Sequence, residues 1–182
     1  RYSPYSLLPM SAPLESFKPV LELRARLLQT VRHFFAEHGF LEVETPLLLP
    51  QPALELHIDA IPAGNLFLRT SPELHLKRLL AAGYARIFQL GSCFRKGERG
   101  ERHNPEFTML EWYRSGADYL QLLADMKSLL AAVAEAVLGR TWLASPDRPA
   151  GGEPFAAKPI ELMPAWEIIT VSQAFKAFAG WD

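Results

Sequence analysis

The chain of 182 residues lacks most of the features that quickly sort a protein into a class. It has one cysteine, Cys93, which excludes an intrachain disulfide and a multi-cysteine zinc site and fits a reducing compartment. It has no unbroken membrane-length apolar run: the longest such stretch, Leu120 to Leu138, is interrupted by Asp125, Lys127 and Glu135. Excess charge of either sign is missing, since 19 Lys and Arg face 20 Asp and Glu for a net charge of -1. That balance excludes a global basic field for gripping a phosphate backbone, so any nucleic-acid contact has to be local. Arg1 to Met10 lacks the continuous apolar core of a signal peptide, which makes the cytoplasm the default expectation. His33, His38, His57 and His75 show no metal-ligand spacing, and no protein-bound metal is expected.

What is present is globular material, with an apolar fraction of 49% that can fill the core of one domain. Residues 1–18 carry prolines and read as an irregular lead-in. Pro19 to His38 predicts an amphipathic helix with Leu23, Leu27, Val31 and Phe34 or Phe35 on one face, ended by Gly39. "FLEVETP" alternates from Phe40 to Thr45 and predicts a short strand stopped by Pro46. His57–Ile61 and Leu66–Arg69 predict a hairpin around "PAGN". In "TSPELHLKRLLAAG", Ser71 suits an N-cap, Pro72 the first helical position, Glu73 the first turn and Gly83 the end. "RIFQLGSCFR" and "EFTMLEWYR" bracket the loop "KGERGERHN" as an antiparallel pair. Asp118 suits the cap of a helix over Tyr119–Leu138, with Gln121 at the capping-box position and Gly139 closing it. "ASPDRPAGGEP" reads as a turn-rich connection, "WEIITV" as a strand, and Ser172 as the cap of "QAFKAF". This order argues an α+β fold rather than a parallel doubly wound one.

Chemistry concentrates in "FRKGERGERHNPEFTMLEWYR", Phe94 to Arg114. The alternation of its second half puts Phe107, Met109, Glu111 and Tyr113 on one strand face. Arg95 sets a permanent planar cation at a strand end, and the loop residues "ERHN" add donors suited to phosphate. Phe107 suits a purine ring, and Glu111 with Tyr113 suits an ammonium group. Together these groups fit ATP plus an amino acid. The same residues also suit a solvated turn, and spacing alone leaves both readings open.

Three segments, in order, carry a family resemblance. "FLEVETPLL" resembles the motif 1 strand of class II aminoacyl-tRNA synthetases, and "TSPELHLKRLL" the segment supplying an amino-acid-binding Glu. "FRKGERGERHNPEFTMLEWYR" resembles motif 2 in its lysyl form. The likeness runs from about Pro19 to the helix after Asp118, and within the family it is nearest the elongation factor P lysine ligases. "LEWYR" and "TVSQAF" carry that nearness, and only Arg1 to Lys18 precede the motif 1 helix, too few for an anticodon-binding barrel.

The resemblance implies an antiparallel sheet flanked by helices, over residues 19–182, as the N-terminal part of a catalytic domain. It implies activation of lysine or β-lysine by ATP with Mg2+, transfer to elongation factor P rather than tRNA, and a homodimer through motif 1. Arg95 takes the catalytic role at the α-phosphate. ATP contacts fall to Lys96, Gly97, Glu98, His103, Asn104 and Phe107, and amino-acid contacts to Ser71, Pro72, Glu73, Glu111 and Tyr113. The pattern departs at Gly97, where the family carries an acid; either Glu98 substitutes, or the backbone at Lys96 and Gly97 faces ATP. No match to the glycine-rich motif 3 precedes Asp182, so the sheet is expected to be incomplete, the metal-binding acids to lie outside this chain, and the chain alone to be inactive. A trimmed lysyl-tRNA synthetase and a non-catalytic synthetase-like module are the rival readings.

Overall fold

The computed structural model describes residues 13–52, 55–100, 102–143, 159–163 and 166–180. The chain divides into two compact units, Arg1–Leu122 and Leu123–Asp182. In the first, a 3-10 turn at Leu14–Phe17 leads into α1, Lys18–Glu37, with Pro19 in the first turn where its missing N–H costs nothing. Gly39, at φ +74°, ends the helix in a conformation that side chains resist. Only the C-terminal half of the expected stripe is buried, as Val31, Phe34 and Phe35, while Leu23 and Leu27 are exposed.

The site is positioned by a mixed three-stranded sheet in the order β1–β5–β6. Strand β5, Arg86–Phe94, pairs antiparallel with β6, Glu106–Arg114, in one unbroken register from Arg86 opposite Arg114 to Phe94 opposite Glu106. At the other edge β1, Leu41–Glu42, runs parallel to β5, and the Val43 N–H adds one bond to the Phe88 carbonyl at 2.9 Å. The expected strand from Phe40 to Thr45 thus shrinks to two residues, because Thr45 turns to bond the side chains of Gln89 and Arg69 instead.

Period-2 alternation splits this sheet into two faces. One carries Phe88 and Trp112, against which Phe35 of α1 packs: its ring stacks on Phe88 with centroids 4.7 Å apart and lies 5.5 Å from Trp112. The other carries Ile87, Gln89, Gly91 and Cys93 beside Phe107, Met109, Glu111 and Tyr113.

A second small sheet, in the order β2–β4–β3, joins β2 (Leu48–Leu49), β3 (Pro62–Ala63) and β4 (Leu66–Leu68). The hairpin expected over His57–Ile61 forms with Pro62–Ala63 as its first strand: Gly64 at φ +65° makes the tight turn, and the Ile61 carbonyl adds one bond by accepting the Leu68 N–H at 2.9 Å. Helix α2, Glu73–Ala81, begins one residue later than expected. Pro72 occupies the capping position, and Ser71 accepts the Glu73 N–H through Oγ at 3.1 Å. Leu76 anchors the helix as a fully buried side chain.

Helix α3, Tyr119–Leu138, begins as expected after Asp118, whose Oδ1 accepts the N–H groups of Leu120 and Gln121 at 3.0 and 3.1 Å. In the second unit β7, Trp142–Leu143, pairs with β8, Ile160–Glu161. The connection "ASPDRPAGGEP" lies outside the described residues. The strand expected at "WEIITV" is not formed: among the described residues Trp166–Thr170 has no pairing partner, and Val171 already belongs to α4, Val171–Ala179. The cap is Thr170 rather than Ser172. A capping box needs its two members three apart, and Thr170 with Gln173 makes both reciprocal bonds, at 3.1 and 2.7 Å.

Candidate functional site

The face of β5–β6 turned away from α1 gathers most of the expected residues. Glu111, on β6, has both carboxylate oxygens engaged: Ser71 Oγ donates to Oε1 at 2.6 Å, and the Tyr113 hydroxyl donates to Oε2 at 2.8 Å. Ser71 arrives here because it sits at the start of α2, which packs against both strands. Burial, with the Glu111 hydrogen bond and charge second, pushes the Tyr113 phenol well above its ordinary value of 10.0, so it remains a donor. Glu73 projects beside them and pairs with Lys77 on the next turn of α2. Pro72 is buried beneath. A cavity of about 730 Å³ has Ser71 and Glu73 in its wall, with Leu49, Gln51, His75 and Arg78.

At the open end of the hairpin stand Arg95 and Phe107. The Arg95 backbone N–H is held by the Pro105 carbonyl at 2.8 Å, which fixes the loop mouth. Its guanidinium carbon lies 5.2 Å from the Phe107 ring centroid, and Nη1 is 3.8 Å from Glu98 Oε1. Its Nε is buried and has no hydrogen-bond partner among the described residues. A buried cationic donor without an acceptor is costly, and an anionic ligand removes that cost. Gly97 adopts φ +78°, a conformation in which an acidic side chain is strained, and the acid next to it, Glu98, meets Arg95 instead. Lys96 is exposed, with its N–H bonded to the Asp59 carbonyl at 2.8 Å. Exposed His103 closes the loop through its carbonyl, which accepts the Gly100 N–H at 3.1 Å, and Asn104 is half-buried at its base.

Sequence reasoning missed Arg69, Gln89 and Thr45. Arg69 is only 3% exposed, and its guanidinium donates from Nε to the Ser92 carbonyl and from Nη1 to Thr45 O and Oγ1, at 2.9–3.0 Å. With the Gln89 amide oxygen turned toward it, Nη1 and Nη2 donate there at 2.6 and 3.0 Å. The available signal was an arginine at the end of a predicted strand, two residues before the "SPE" segment. Among the described residues no group of three or more His, Cys, Asp or Glu side chains converges on a metal position.

The family profile of class II tRNA synthetases (D, K and N) matches residues 9–182, and the chain belongs to that family. Among its members the chain is similar to proteins named elongation factor P–(R)-β-lysine ligase. That of Vibrio cholerae is 47% identical over 123 residues, covering 62% of this chain and 38% of the relative. That of Mannheimia succiniciproducens is 44% identical over 133 residues, covering 68% and 40%. That of Proteus mirabilis is 43% identical over 120 residues, covering 60% and 37%. The matched part thus spans about two fifths of these relatives' length.

Proposed function

We propose that residues 19–182 form the N-terminal part of a class II synthetase-like catalytic domain, with a sheet that is antiparallel except for β1 and is flanked by helices, that activates lysine or β-lysine and transfers it to elongation factor P. In the first step a carboxylate oxygen of the amino acid attacks the α-phosphorus of ATP, and the bond to pyrophosphate breaks. In the second a lysine amine of elongation factor P attacks the acyl carbon, AMP leaves, and the amine proton passes to solvent. The observation that carries this reading is Arg95: a part-buried cation at the hairpin mouth whose buried Nε has no partner among the described residues, on the sheet that holds the Ser71–Glu111–Tyr113 cluster.

Arg95 stabilises charge at the α-phosphate as it builds. Lys96, Gly97 and Glu98 line the phosphates, His103 and Asn104 meet the outer phosphates and the base, and Phe107 stacks on adenine. Glu111 and Glu73 receive the ammonium groups, with Ser71, Pro72 and Tyr113 shaping the pocket. The relatives' names, which specify (R)-β-lysine and elongation factor P, support the substrate and acceptor. Magnesium, when bound, would neutralise the phosphates, with its protein ligands expected outside this chain; among the described residues no group of three or more His, Cys, Asp or Glu converges on a metal position. No helix among the described residues is long and apolar enough to cross a membrane, and the cytoplasm is the proposed compartment. The exposed Val20, Leu21, Leu23 and Leu27 of α1, with Leu41 of β1, support a homodimer through the motif 1 segment.

Arg95→Ala in the full-length protein is expected to reduce lysine-dependent pyrophosphate exchange by about a thousandfold. Unchanged exchange sinks the site assignment. Offering the same protein tRNA and elongation factor P side by side tests the acceptor, because rapid charging of tRNA rejects elongation factor P.

A further inference from the structure

Arg69 lies outside the set of groups assigned to ATP or the amino acid, yet it is among the most deeply buried charges in the first unit. Among the described residues it pairs with no carboxylate. A guanidinium in that position persists only when oxygen acceptors replace its water, and here they come from Thr45, Ser92 and Gln89. Gly91 makes the approach possible: a Cβ at that position meets Arg69 Nη2 at 3.0 Å, tighter than ordinary side-chain contact.

Several bonds of Arg69 lead to a group of the site, while those to Thr45 and from its own N–H to the Leu47 carbonyl brace the fold. The Arg69 carbonyl accepts the N–H of Phe94, the residue before Arg95, at 2.9 Å. Its Nε holds Ser92, which fixes the last turn of β5 from the side-chain direction as well. Gln89, which it grips, stands directly opposite Glu111 in the β5–β6 register, where facing Cβ atoms lie about 5 Å apart. Two residues along its own chain is Ser71, which bonds Glu111. Cys93 registers both charges: burial pushes its thiol up, Arg69 draws it back down, and Glu111 raises it. The links that reach Phe94, Ser92 and Gln89 thus join both ends of the site through one guanidinium and its own backbone.

We propose that Arg69 is a positioning residue, which, through the gap left by Gly91, ties the Arg95 end of the site to the Ser71–Glu111 end so that nucleotide and amino acid meet in register. It rests on the proposed activity and deepens it. Arg69 touches neither substrate; it acts through Phe94, Gln89 and the start of α2.

The test uses Arg69→Lys, which keeps the charge but not the fork, and Gly91→Ala, which keeps every donor and acceptor but places a methyl against Nη2. In the full-length protein both are expected to lower kcat of lysine-dependent pyrophosphate exchange per folded molecule by about tenfold to a hundredfold, as misplacement of a reacting pair does. KM for ATP and for the amino acid should move by less than about threefold, since ground-state contacts stay. Combining the two changes should be no worse than Arg69→Lys alone, because the slimmer lysine leaves room for the methyl. A lowered Tm with unchanged kcat per folded molecule, or losses that multiply in the double variant, overturns the proposal. If Arg69→Lys does not fold, Gly91→Ala decides by the kcat criterion alone. A wild-type protein without lysine-dependent exchange refutes the activity and not the tie, which amide hydrogen exchange then reads. Gly91→Ala should speed exchange at Phe94 and Glu73 together by about tenfold and leave Ile87 and Phe88 unchanged, whereas a change at one of the pair, or along all of β5, rejects it.

Discussion

The two faces of the β5–β6 pair are built from the same two nine-residue strands, yet they do opposite work. On one, Phe88 and Trp112 receive Phe35 of α1, and the interactions are non-directional ring contacts at 4.7 and 5.5 Å. On the other, Glu111 is held by directional bonds from Ser71 and Tyr113, and Gln89 by bonds with Thr45 and Arg69, between 2.6 and 3.0 Å. The first face tolerates repacking but not loss of volume; the second tolerates little change of charge or angle. Alternation at period 2 is what allows one ribbon to hold both, because every second residue is free of the other face's demands.

Substitutions on either side sharpen that contrast. The largest effect on stability is expected for Phe35→Ala, which empties a fully buried site and should cost about 3–5 kcal/mol in denaturant unfolding. A loss under about 1 kcal/mol means that α1 does not anchor the sheet. Next, Glu111→Gln keeps shape but removes the charge that Ser71 and Tyr113 serve. It should leave Tm within a few degrees yet cut amino-acid-dependent exchange by about thirtyfold to a thousandfold, or about 2–4 kcal/mol. Equal losses of Tm and activity erase the distinction between the faces.

The smallest change is expected for Tyr113→Phe, about 1 kcal/mol at neutral pH for one hydrogen bond. Its signature is in the pH dependence. The native phenol titrates above its ordinary value of 10.0, so the unfolded chain gives up this proton first as pH rises. The stabilisation is therefore complete below about pH 10 and is lost on going higher, and the phenylalanine variant should lose less stability than wild type in that alkaline window. Parallel alkaline stability curves for the two proteins count against a buried phenol bonded to Glu111.

Much of this was legible in the sequence, and for local reasons. The alternation from Glu106 to Arg114 places Phe107, Glu111 and Tyr113 on one face wherever the strand goes. Pro19, Gly39 and Asp118 act through their own backbone geometry and mark the helix ends without help from the rest of the chain. The failures came where local preference lacked a partner or met a stronger one. Ile168, Ile169 and Val171 prefer a strand, but among the described residues no strand pairs with them, and the Thr170–Gln173 box starts a helix instead. Thr45 continued an alternating pattern, but the Arg69 fork drew it out of the sheet.

The sequence by itself determined most of the elements, the face on which the carboxylate and aromatics stand, and the family, because periodicity, caps and motif spacing act within a few residues of each other. Only the tertiary structure decided that Ser71 would close on Glu111 across 40 positions, and that Arg69 would bond Thr45 and Ser92 from 24 and 23 positions away. It also decided that half of the α1 stripe would face outward while Phe35 was buried. Those outcomes depend on which surfaces meet once the strands pair, and on a single missing Cβ at Gly91, neither of which a linear pattern specifies.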